Sequence, residues 1–202
     1  DYVSRFIKNF DVPATAGFHM GSDGYVWGRE FSSRAPQSPR ELEISKHWYK
    51  FMLWGRLGYD PDLPRAFFVD RIGDRWPGTD AATVHDTWQA ASKIIPTVNT
   101  FYWRDWDHMW SVENSNSHKE GFHGIEDFAN GRTMQDSGML NVRDYVTGQL
   151  TGTMPEGTSP LVVADQVEAF AQETLAGVAA LSVGSREDAL QATLDDMRGM
   201  AL

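Results

Sequence analysis

Residues 38–58, SPRELEISKHWYKFMLWGRLG, predict the clearest helix in the chain. Ser38 is placed to be the N-cap, Pro39 takes the first helical position, and Glu41 completes a capping box. Gly58, at the other end, is placed for a left-handed C-cap. The large apolar residues on one side of this helix are Trp48, Phe51, Met52 and Leu57. We therefore expect an amphipathic helix whose apolar face packs against other parts of the protein.

Two helices are predicted directly after this segment, and a proline limits each of them. The first runs from about residue 62 to Pro77, because proline cannot continue a helix. The second starts at Thr79 or Asp80, and Pro96 is predicted to end it after Ile95. The chain is therefore expected to be mainly α beyond residue 58.

The last third of the chain predicts a second group of helices. Residues 97–158 show too little periodicity for a helix to be predicted, and 147–159 are predicted to form a polar loop. Ser159 and Pro160 open a long helix, and Ser185 caps the final one. The short turn between these two helices predicts an antiparallel pair.

The first 37 residues have a different pattern. Residues 1–10 are short and amphipathic, 12–20 form an apolar run typical of a buried strand, and 21–37 form a loop rich in glycine and aromatics. A lone buried strand leaves its backbone donors and acceptors unsatisfied, so its partners are expected upstream of this chain. A strand, a loop with functional side chains and a helix together make up the unit of a (β/α) barrel.

The stretch ISKHWYKFMLWGRLGYDPDLP, residues 44–64, resembles the C-terminal part of the α-glucuronidase family of glycoside hydrolases. That family has a segment of the type NLYAFGRLAWNP directly after its last barrel strand. GFHGIEDF, residues 121–128, is similar to a Gly-Leu-His-His segment of the same family. The matching positions are Tyr49, Phe51, Gly55, Arg56, Leu57, Tyr59 and Pro61.

This resemblance implies a mainly α fragment of a larger chain. Residues 1–58 would be the last βα unit of a TIM-type (β/α)8 barrel, and 59–202 would be a helical C-terminal domain that supports dimers in that family. The family's general acid and base lie on earlier strands, so the catalytic carboxylates are expected upstream. Function would then depend on the upstream barrel portion of the same protein.

The segment GFHMGSDGYVWGREF, residues 17–31, is the first candidate for sugar binding. Asp23 is placed to accept hydrogen bonds from hydroxyls, Trp27 to stack on a sugar ring, and Arg29 to bind a carboxylate. Glu30 is a candidate acid or base. The resemblance puts this loop on the active-site face of the barrel. The alternative is structural, with a tight turn, local ion pairs and a core tryptophan.

The segment YWRDWDHMWSVENSNSH, residues 102–118, is the second candidate, and HKEGFHGIED, residues 118–127, is the third. Trp106 and His108 would form a sugar subsite, and His123 would donate a hydrogen bond to the substrate. The alternative is a helix that buries its tryptophan face. The spacing of the histidines and carboxylates fits no standard zinc motif, so we predict no metal and no cofactor.

Composition limits the classes of partner. The 28 acidic residues outnumber the 18 basic ones, and a formal net charge of -10 argues against nucleic-acid binding. No apolar run reaches the ~18 residues of a membrane span. The chain has no cysteine, which excludes thiol catalysis but does not fix the compartment. The cytoplasm and the periplasm of a bacterium both remain compatible with the sequence.

Two functional hypotheses follow from these patterns. The first is part of a glycoside hydrolase of α-glucuronidase-like type that acts on a plant or algal polysaccharide or its oligosaccharides. The second is a non-catalytic helical domain for dimerisation or scaffolding, with its aromatic residues in the core. A standalone sugar-binding module fits less well, because the predicted strand has no partner.

Overall fold

The computed structural model describes residues 2–10, 16–18, 47–102, 116–117, 121–122, 124–181 and 188–202. Within these residues the chain forms eight helices and one two-residue antiparallel ladder. The prediction of a mainly α chain is confirmed. The helices are α1 (Tyr2–Phe10), α2 (Trp48–Tyr59), α3 (Arg65–Arg75), α4 (Ala81–Phe101), α5 (Ile125–Ala129), α6 (Val142–Thr151), α7 (Pro160–Leu181) and α8 (Asp188–Ala201). Strands β1 (Asn116–Ser117) and β2 (Gly121–Phe122) form the ladder.

The chain divides into two compact units. The first contains residues 1–85 and 178–196, and the second contains 86–177 and 197–202. Helices α4, α7 and α8 each contribute residues to both units. The predicted division after residue 58, between a barrel and a helical domain, stays a prediction.

Aromatic side chains build the core of the first unit. The rings of Trp48 on α2 and Trp76 after α3 meet edge to face, with centroids 5.5 Å apart. The Arg75 guanidinium lies 5.8 Å from the centroid of the Trp48 ring. Phe68 and Ile72 of α3 are buried in this unit. The apolar face predicted for α2 is therefore confirmed in part, because Leu57 is buried.

Helix α1 packs against α2 and the turn that follows it. The Ser4 hydroxyl donates a hydrogen bond of 2.7 Å to the carbonyl of Pro61. Lys8 forms an ion pair with Asp62, at an N–O distance of 2.5 Å. Both charged groups are largely exposed, so the pair contributes ~1 kcal/mol or less to stability.

The predicted left-handed cap at Gly58 is wrong. Helix α2 continues to Tyr59, and Asp60 in extended conformation is its C-cap. Gly58 has an ordinary helical conformation, and its missing side chain makes room for a ring. A Cβ at this position would lie 2.6 Å from Cε1 of Phe18. Glycine is needed here for close packing rather than for a positive φ.

The start of α4 is confirmed, but its predicted end is wrong. Asp80 caps the helix, with its carboxylate accepting a hydrogen bond of 3.1 Å from the Thr83 amide. The helix continues through Pro96 to residue 101. Burial of Ile94 and Phe101 contributes ~1.5–3 kcal/mol each, which outweighs the ~3 kcal/mol that an internal proline costs.

Helix α6 corrects the loop predicted at 147–159. Its N-cap is Asn141, whose side chain accepts a hydrogen bond of 2.8 Å from the Asp144 amide. Gly152 ends it in the left-handed conformation, with φ of 73°. The loop therefore begins at residue 152, and the first five residues of the predicted loop are helical.

The second unit contains a close crossing of α4 and α7. A Cβ at Gly177 would lie 2.1 Å from Oγ1 of Thr87. Ala90 and Thr174, one turn away on the two helices, are also buried. Small residues let the two backbones approach where a larger side chain would force them apart.

The remaining predictions have mixed outcomes. Pro160 opens α7 as predicted, and Leu190, Leu194 and Met197 of α8 are buried. The antiparallel pairing of the two last helices stays a prediction. Of the strand predicted at 12–20, only 16–18 are described, and they form no ladder. The caps predicted at Ser38 and Ser185 lie outside the described residues.

Candidate functional site

The sugar contacts predicted from the sequence all lie outside the described residues. They are Asp23, Trp27, Arg29, Glu30, Trp106, His108 and His123. The structure describes residues that adjoin them.

Phe18 anchors the start of the first candidate segment on α2. Its ring meets the indole of Trp54 with centroids 5.7 Å apart and an interplanar angle of 63°. The same ring occupies the space over Gly58. Phe18, the last described residue of this part of the candidate segment, therefore packs on α2.

Four rings form a cluster that we call the α1–α2 aromatic patch: Tyr2, Phe6, Phe18 and Trp54. Phe6 meets Trp54 edge to face at 5.7 Å, and Tyr2 stacks on Phe6 at 6.2 Å with an interplanar angle of 23°. The exposed fractions are 61% for Tyr2, 49% for Phe18 and 38% for Phe6. These rings are therefore only partly used in packing, and their remaining surface faces solvent.

Sequence reasoning missed this patch. It described residues 1–10 only as short and amphipathic, and it left Trp54 out of the apolar side of α2. The available signal was the spacing of Tyr2 and Phe6, which are four residues apart and so lie on one side of a helix. Which helix they would meet depends on tertiary contacts.

The two helices of the patch carry only positive charge. Arg5 and Lys8 are the charged residues of α1, and Lys50 and Arg56 are those of α2. The chain as a whole has a net charge of -10. Lys8 is paired with Asp62, whereas Arg5 has no carboxylate partner within the described part of the chain. The described residues of these two helices therefore carry basic side chains and no acidic ones.

Contacts join described residues at or beyond the two ends of the second and third candidate segments. The amide of Met134 donates a hydrogen bond of 2.8 Å to the carbonyl of Thr100, at the end of α4. The rings of Tyr102 and Phe128 meet edge to face at 5.6 Å. Burial raises the pKa of the Tyr102 phenol above its usual range. Tyr102 is half-buried directly before Trp103.

No group of three or more His, Asp or Glu side chains in the described ranges is arranged to hold a metal ion. None of the described helices is both long and apolar enough to cross a membrane.

The comparisons with known proteins show a similarity of fold. No family model matches the chain, and no curated protein matches it. Among solved structures, it is similar to a GH138 enzyme targeting the pectin rhamnogalacturonan II. The TM-score is 0.61 at 19% sequence identity, over 82% of this chain. The chain shares the fold of part of a glycoside hydrolase.

That shared part is a small fraction of the solved enzyme. The match covers 21% of its length, so the chain spans about a fifth of the protein that it resembles. At this identity the likeness concerns the fold. The resemblance to the α-glucuronidase family is a finer statement than this comparison makes.

Proposed function

We propose that this chain is part of a carbohydrate-active enzyme, a glycoside hydrolase in which a mainly helical portion accompanies a barrel of α-glucuronidase-like type. The observation that carries the proposal is the fold shared with part of a GH138 enzyme over 82% of this chain. The family resemblance of residues 44–64 supports the same class independently. The domain arrangement proposed is a last βα unit at 1–58 and a helical domain at 59–202.

The proposed substrate is an acidic plant or algal polysaccharide, of which pectin is an example. Hydrolysis in most glycoside hydrolases needs two carboxylates that flank the scissile bond. We assign Glu30 as a candidate for one of them, and its partner to the upstream barrel portion. Both the substrate and that upstream portion are partners that the proposal requires.

The first candidate segment supplies the proposed sugar contacts. Arg29 would pair with a sugar carboxylate, Trp27 would stack on a ring, and Asp23 would accept hydrogen bonds from hydroxyls. Trp106 and His108 of the second segment and His123 of the third would extend the site.

The test is made in the complete protein with Arg29→Ala and Trp27→Ala. Removal of a desolvated charged contact costs ~2–5 kcal/mol of binding, because its partner is left unpaired. We expect weaker binding of acidic oligosaccharides by calorimetric titration and an almost unchanged melting temperature. Arg143→Ala, at an exposed position of α6, is the matched control and should change neither quantity.

Two outcomes would contradict the proposal. One is that the complete protein releases no sugar from rhamnogalacturonan II or from other uronate-containing polysaccharides. The other is a lower melting temperature for Trp27→Ala with unchanged affinity, since that result assigns the tryptophan to the core. The isolated chain is expected to hydrolyse nothing, because the second carboxylate would be missing.

A non-catalytic helical scaffold is the second candidate. The aromatic core of the first unit favours it, since Trp76 is 1% exposed and serves packing alone. In that case the chain would form a homodimer whose stability does not depend on saccharide. Sedimentation with and without an acidic oligosaccharide separates the two functions, because the scaffold gives a ligand-independent dimer.

A further inference from the structure

We draw no further inference here: the strongest candidate, the pair of exposed apolar side chains Val146 and Leu150 one turn apart on α6, carries none, because nothing in the structure shows what covers this face of the helix.

Discussion

The α1–α2 region and the α4–α7 crossing solve the same problem, helix packing, with opposite side chains. In the first, Phe6 and Phe18 contact Trp54 through large rings that remain partly exposed. In the second, Gly177 and Thr87 bring two backbones close together, and the contact surface is buried. Large rings hold helices together while part of their surface stays exposed, whereas small residues let two backbones meet closely. The comparison therefore separates a partly exposed contact from a buried one.

Trp76→Ala should have the largest effect on stability, in contrast to Trp54→Ala. Trp76 is 1% exposed and contacts Trp48, so its removal leaves a cavity and should cost ~3–5 kcal/mol. Trp54 lies in the partly exposed patch, and its replacement should cost about half of that or less. Chemical denaturation of the two variants measures the difference. Equal losses would mean that the patch is as buried as the core and would remove the distinction.

Gly177→Ala tests the other side of the comparison. The new Cβ would lie 2.1 Å from Oγ1 of Thr87, so the helices must shift, at a cost of ~1–3 kcal/mol. Gly199→Ala is the matched control, because a Cβ there has open space and should stabilise α8 by ~0.5–1 kcal/mol. Thermal melts of both variants should move in opposite directions. A rise in melting temperature for both would show that α4 and α7 are not closely packed.

Asn141→Ala should have the smallest of these effects. The side chain of Asn141 caps α6, and loss of such a cap costs ~1 kcal/mol. Gln149→Ala, on the exposed side of the same helix, should change stability by less than ~0.5 kcal/mol. Urea titrations at matched protein concentration distinguish the pair. Identical midpoints would mean that the cap is not what defines the start of α6.

Local signals in the sequence predicted several element boundaries correctly. Asp80 and Pro160 begin helices as expected, because capping hydrogen bonds and a fixed φ act within one turn of the chain. Asn141 and Gly152 carry equally local signals, and the helix between them was missed because its apolar periodicity is weak. Its buried position is a glycine, Gly148, whose missing side chain accommodates Met154 and Pro155.

The sequence alone determined that the chain is mainly α, acidic and rich in aromatic residues. Tertiary structure decided what individual residues do. Pro96 lies within a helix because burial on either side of it outweighs one lost hydrogen bond, and Gly58 is a packing site because Phe18 lies over it. The aromatic patch also arises only when α1 meets α2, since the exposure of a ring depends on neighbours that are distant in the sequence. Short-range hydrogen bonds and periodicity can be predicted from the order of residues, whereas burial is a property of contacts between distant parts of the chain.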